Sequence, residues 1–203
     1  MSTDTKSSTA PASTVFNVPN QLTAVRLVLS ILVFVLIAWE RFVLALVVFV
    51  LAASTDWIDG YWARRYGQVT KLGRIFDPFV DKFIICGTFI FLSSMSARSG
   101  IDAWLSVVIV GRELLVTAIR SVVEQGGGDF SAKWVAKWKM GFQCIAASAS
   151  LAVLAKGGMT DAPSWMVWVL VPAIWLTLIT TVYSGLEYLV VAWRTIVGDS
   201  SVR

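Results

Sequence analysis

Beyond its first 15 residues, the chain alternates between long apolar runs and brief polar breaks. The first run extends from about Asn20 to Trp39, opened by Pro19 and free of charge from Leu27 onward. Proline suits a first helical turn because the amide it lacks has no intrahelical partner there. Glu40 and Arg41 mark a very short turn into a second run, about Arg41 to Arg65, uncharged from Phe42 to Thr55 and then acidic at Asp56 and Asp59. A basic loop, Arg65 to Arg74, leads to a third run over about Ile75 to Ala97, and a fourth over about Asp102 to Gln125 is broken by Arg112, Glu113 and Arg120. Gly126-Gly127-Gly128 ends it, the fifth covers about Lys133 to Ala155, and the sixth covers about Pro163 to Trp193. Roughly 20 residues cross a bilayer as a helix, so the pattern predicts an all-α integral membrane protein with six transmembrane helices in one bundle.

Composition strengthens that reading. Of 203 residues, 57% are hydrophobic and 15% charged, against about 45–50% and about 25% in a soluble domain. Ten Trp, eleven Phe and four Tyr suit aromatic belts at two interfaces and exclude an intrinsically disordered chain. The expected organisation is a disordered tail over 1–15, one helical domain over 16–197 and a short C-terminal tail over 198–203. Cys86 and Cys144 sit in apolar stretches without metal-ligand spacing and read as small buried hydrophobes.

Charge sets orientation. Placing both termini, the 65–74 loop and the Gly-rich link on one side gathers thirteen Lys and Arg there, against only Arg41, Arg98 and Lys156 opposite. Under the positive-inside rule both termini face the cytoplasm, in the cell membrane, since the tail lacks the features of a signal or transit peptide. The net charge of +4 sits at the ends of apolar runs, which favours lipid headgroups or phosphorylated substrates and argues against nucleic acid.

An ionised carboxylate at a helix centre costs about 2.5–3.5 kcal/mol on insertion scales, so each acid near the membrane needs a reason. Asp56 and Asp59 are three apart at the end of the second run, and Asp77 and Asp81 four apart at the start of the third, so each pair shares a helical face. The runs are consecutive and antiparallel, which allows all four to meet in one cytoplasm-facing cleft. Oxygen-only donors with no histidine suit hard dications such as Mg2+ or Mn2+, and four carboxylates suffice for two ions bridging a diphosphate. The competing reading is an ion-paired helix terminus compensated by Arg64, Arg65, Arg74 and Lys82. Gly60 and Ala63 continue the acidic face as a shallow notch, and Gly73 extends it to the third run, although small residues also serve close helix packing.

The pattern Asp56-x2-Asp59-Gly60-x2-Ala63-Arg64-x8-Gly73-x3-Asp77-x3-Asp81 resembles the signature of the CDP-alcohol phosphotransferase family at every position. The resemblance implies transfer of a phosphoryl-alcohol group from a CDP-linked donor to an acceptor hydroxyl, with release of CMP. It further implies that Asp56, Asp59 and Asp77 bind metal, that Asp81 is both ligand and proton acceptor, and that Gly60 and Arg64 contact the donor. Ala63, Gly73 and Thr70 would line the donor slot, and homodimers are common among proteins of this kind. Asn20-x2-Thr23-x2-Arg26 resembles the opening of bacterial phosphatidylglycerophosphate synthases, which implies donor contacts for Asn20 and Thr23, whereas alone it reads as a helix entry with Arg26 snorkelling to headgroups.

Arg112, Arg120, Lys137 and Lys139 form a candidate phosphate pocket for the acceptor, the alternative being an Arg112–Glu113 structural pair and lysines that serve orientation. The stretches Gly111-Arg112-Glu113 through Arg120 and Lys137-Trp-Lys139-x3-Gln143 resemble the corresponding helices of the same synthases. They imply CDP-diacylglycerol as donor and glycerol 3-phosphate as acceptor, giving phosphatidylglycerol phosphate within the phospholipid bilayer. Inositol 3-phosphate, serine and phosphatidylglycerol remain alternative acceptors. A divalent-cation transporter is the reading of another class, disfavoured because Phe42 to Thr55 and Phe83 to Ala97 hold no ionisable group that could pass an ion across.

Overall fold

A computed structural model describes residues 18–66, 71–125 and 134–199, with side chains placed at 21, 23–55, 79–121, 138–190 and 193. Every regular element among the described residues is a helix. In chain order these are α1 (Val18–Ala38), α2 (Phe42–Tyr66), α3 (Lys71–Ser93), α4 (Ser96–Ser99), α5 (Ala103–Gln125), α6 (Trp134–Leu154) and α7 (Ser164–Asp199). The six apolar runs thus appear as six long helices. The expected tail over 1–15, Thr70 and the Gly-rich link lie outside the described residues.

Helix contacts close a ring. α1 packs on α2 and α3, α2 on α6, α6 on α7, α7 on α5 and α5 on α3, while α3 and α6 also meet across the middle. The core is largely apolar: Val33, Ile37, Phe49, Phe89, Leu92, Ile101, Leu105, Ile109 and Leu151 are fully or almost fully buried. Outside, the surface is apolar too. Val28, Val43, Val107, Leu114, Ile179 and Leu186 are exposed, as are Trp39, Trp104, Trp165 and Trp168 towards one end and Trp138 and Trp193 towards the other. Apolar side chains exposed on this scale suit a hydrocarbon surround better than water, and tryptophans near both ends suit a headgroup boundary. Ser164–Val190 is long and apolar enough to cross a membrane by itself, and Thr23–Ala38, Phe42–Thr55 and Trp138–Leu154 are shorter apolar segments. At 36 residues α7 is about 54 Å long, which exceeds the hydrocarbon thickness of about 30 Å, and it runs two residues past the expected boundary at 197.

One expected boundary is corrected. The third run, read as continuous from Ile75 to Ala97, is helical from Lys71 and ends at Ser93, and Ser96–Ser99 forms a separate turn. Ser93 and Ser94 donate their hydroxyls to the carbonyls of Ile90 and Phe91, at 2.8 and 2.7 Å, capturing acceptors at the end of the helix. Ser99 then donates to the Leu92 carbonyl, and Ser150 of α6 donates to the Ser99 carbonyl. The amide of Met159 donates to Arg98, and Gly158, with φ 110°, lies against the Arg98 backbone. Hydrogen bonds between residues remote in sequence therefore close this end of the ring. The α1–α2 turn sits beside them, with Glu40 left-handed at φ 54° and Arg98 reaching its carboxylate at 3.2 Å.

Packing of α1 on α3 depends on one glycine. Phe34 rests on Gly87 and stacks with Phe91, both centroids 5.3 Å apart. A Cβ at position 87 would fall 2.2 Å from the Phe34 ring. Gly87→Val is expected to destabilise the protein by about 1–3 kcal/mol through overpacking, read as a lower unfolding temperature in detergent, and Phe34→Leu in the same chain should restore most of it. A Gly87→Val protein as stable as its parent would show that the two helices part freely.

Candidate active site

Polar side chains collect at the end of the ring opposite the serine-closed turns. A cavity of about 240 Å³ is lined there by α3 (Asp81, Lys82), α5 (Arg112, Glu113, Thr117, Arg120), α6 (Lys139, Gln143) and α7 (Tyr188). Among its described lining residues four are cations and two are carboxylates, a balance that favours an anionic ligand. Three of the four residues read from sequence as the acceptor pocket, Arg112, Arg120 and Lys139, are brought together here. The fourth, Lys137, lies on α6 with its side chain outside the described residues.

Glu113 is nearly buried, and its Oε1 accepts from Arg112 Nη1 at 3.1 Å and from Lys139 Nζ. The Arg112–Glu113 pair therefore exists, and it sits within the pocket. The guanidinium has more to offer: its Nε and Nη2 are buried without a hydrogen-bond partner, as is Nε2 of Gln143. Donors left without a partner in a low-dielectric site are costly, so these residues at the cavity wall hold hydrogen-bonding capacity that a ligand could draw on. Thr117 donates to the Glu113 carbonyl at 2.6 Å and accepts from Lys82 Nζ, tying α3 to α5.

Asp81 opens onto the same cavity and is held from its other side. Arg26 of α1, only 3% exposed, places Nη1 2.5 Å from Asp81 Oδ1. The expectation that Arg26 snorkels towards headgroups is corrected: it points inward, because a carboxylate on the neighbouring helix offers it a charged partner. Thr23, one turn earlier on the same face, is also buried.

Asp56 and Asp59 lie within the last three turns of α2, and Asp77 within α3 one turn before Asp81. Their side chains, and those of Asn20, Gly60, Ala63, Arg64 and Gly73, are outside the described residues. A second, apolar groove of about 570 Å³ runs between α2 and α6, lined by Phe49, Val50, Ala53, Ser148, Ala149 and Ala152 among others. Its α2 wall climbs through Val50 and Ala53, and the next positions on that face are Asp56 and Gly60.

Sequence reasoning missed Arg26, Lys82, Thr117, Gln143 and Tyr188 as site residues. Gln143 carried a signal, being one turn after Lys139, and Lys82 is the neighbour of Asp81. Tyr188 offered none.

A helical bundle with an apolar exterior and a cation-rich cavity at one end has the form expected of a membrane-associated enzyme that handles anionic substrates. The chain belongs to the CDP-alcohol phosphatidyltransferase family, whose sequence profile matches residues 16–196. It is similar to the protein of Bacillus subtilis (strain 168) named CDP-diacylglycerol--glycerol-3-phosphate 3-phosphatidyltransferase, at 31% identity over 196 residues, covering 89% of this chain and 97% of that one. Proteins of the same name from Pseudomonas fluorescens and Shigella flexneri serotype 5b (strain 8401) are 33% and 30% identical over 87% and 86% of this chain, and 90% and 93% of their own.

Proposed function

We propose that this enzyme transfers the phosphatidyl group of CDP-diacylglycerol to glycerol 3-phosphate, giving phosphatidylglycerol phosphate and CMP. The observation that carries the acceptor assignment is the unpartnered Nε–Nη2 edge of Arg112 at a cavity whose described charged residues are mostly cations, beside Asp81. An arginine edge of this kind binds phosphate through two parallel hydrogen bonds. The names of the similar proteins support the same pair of substrates.

The donor set Asp56, Asp59, Asp77 and Asp81 is all carboxylate in a chain with no histidine, which fits hard dications, Mg2+ first and Mn2+ second. Bound there, two such ions would neutralise the diphosphate and the charge that develops on the transferred phosphoryl group. Arg112, Lys139, Lys82 and Arg120, with Lys137 beyond them, seat the acceptor phosphate. Asp81 accepts the proton of the acceptor hydroxyl as its oxygen forms a bond to the phosphorus that carries diacylglycerol. The bond from that phosphorus to the CMP oxygen breaks, and CMP departs with the electron pair. Asn20, Thr23, Gly60, Ala63, Arg64, Thr70 and Gly73 serve the donor head, and the α2–α6 groove leads its acyl chains from Asp56 and Gly60 into the bilayer.

In this reading the six long helices span the cell membrane as one domain over 16–197, termini and active site face the cytoplasm, and two copies pair as a homodimer. The charge asymmetry supports the orientation. Arg98 lies against both Glu40 and Gly158, so the loops carrying Arg41, Arg98 and Lys156 share the end away from the cavity.

Purified protein given CDP-diacylglycerol and, in turn, glycerol 3-phosphate, inositol 3-phosphate, serine or phosphatidylglycerol should release CMP fastest with glycerol 3-phosphate. Faster release with serine or phosphatidylglycerol would overturn the acceptor assignment, since neither presents a phosphate monoester.

A further inference from the structure

Arg112 and Glu113 are consecutive on α5, and consecutive helical residues point about 100° apart, so their meeting is not given by position. The guanidinium instead bends back until Nη1 reaches Glu113 Oε1 at 3.1 Å. Two features of α7 hold it in that pose. Gly185 leaves room for the stem, since a Cβ there would lie 3.3 Å from Arg112 Cγ. The Tyr188 ring faces the guanidinium, its centroid 5.5 Å from Cζ. Stem, plane and one nitrogen are thus fixed, and the fixed nitrogen is the one that leaves Nε and Nη2 unpartnered as a pair. The same Glu113 oxygen accepts from Lys139 Nζ, so one carboxylate oxygen draws two cations from two helices to a single point.

We propose that Glu113 is a positioning residue for acceptor recognition. It does not meet the substrate: it turns Arg112 so that the Nε–Nη2 edge faces the cavity and brings the Lys139 ammonium alongside. A buried ion pair is by itself weak support for stability, because dehydrating both charges offsets most of their attraction. A device that presents a guanidinium edge gives the pair a use that stability does not. The proposal rests on the acceptor reading above and adds to it a residue that no charge complementarity to phosphate would select, because it is an anion.

The test is steady-state kinetics on the full-length protein in detergent with CDP-diacylglycerol, varying glycerol 3-phosphate. Glu113→Gln should raise KM for glycerol 3-phosphate by about 10- to 100-fold, the worth of a charge-assisted hydrogen bond, while kcat and KM for the donor change far less. Arg112→Lys keeps the charge without the planar edge and should raise the same KM. The double variant should be no worse than Arg112→Lys alone, because both changes remove one arrangement. Penalties that multiply would overturn the proposal, as would a Glu113→Gln protein with lower active yield and unchanged KM, the signature of a purely structural pair. If Glu113→Gln does not fold, Glu113→Asp retracts the carboxylate by one methylene: raised KM at constant kcat supports the proposal and unchanged KM overturns it. An Arg112→Lys protein with unaltered KM for glycerol 3-phosphate would instead remove the acceptor reading, and the positioning role with it.

Discussion

Replacing Asp81 by Asn should lower turnover by about 10²- to 10⁴-fold, the usual share of a general base, while leaving CDP-diacylglycerol bound. Asn is nearly isosteric and keeps a carbonyl oxygen for Arg26, whose Nη1 lies 2.5 Å from Asp81 Oδ1, so the α1–α3 contact has no cause to open. What is lost is the site that takes the acceptor's proton, on the only carboxylate besides Glu113 that lines the cavity among the described residues. CMP release measured at saturating acceptor, beside donor binding to the same preparation, separates the two effects. Activity within a few-fold of the parent would move the base elsewhere.

Removal of divalent cations should have an effect as large. Two like charges about 4 Å apart at an effective dielectric of about 20 repel by about 4 kcal/mol, and four aspartates sharing the proposed metal site would meet several such terms unless a cation intervenes. Treatment with a chelator should therefore abolish CMP formation, and Mg2+ or Mn2+ should restore it. Persistence of activity in chelator would show that Asp56, Asp59, Asp77 and Asp81 serve as helix-end ion pairs.

How much of this could be read beforehand depends on whether a feature is local. Six apolar runs became six long helices because span length and the 3.6-residue period are written in consecutive residues. The family was legible because its signature fits within 26 positions on two neighbouring helices. The contacts that shape the cavity were not: Arg26 meets Asp81 across 55 residues, Lys139 meets Glu113 across 26, and Ser150 meets Ser99 across 51. No periodicity encodes those distances, because each depends on how the ring of helices closes. Arg26 shows the cost. Read alone, an arginine one turn inside a membrane helix belongs with headgroups, and only the position of α3 beside α1 reverses that reading. Arg112 stood out as a candidate phosphate ligand with a pair to Glu113 as the alternative, and that both hold at once, with the guanidinium posed by Gly185 and Tyr188 on another helix, could not be read from the sequence.

Between the cavity and the serine-closed turns lie Phe89, Leu92, Leu105 and Leu151, all with almost no exposure. Side chains of this kind offer a proton or an ion no charged group to step to. If the helices span a bilayer that stores energy as a difference in voltage and acidity, as proposed above, such a plug would let a cell carry many copies of the enzyme at little cost to that store.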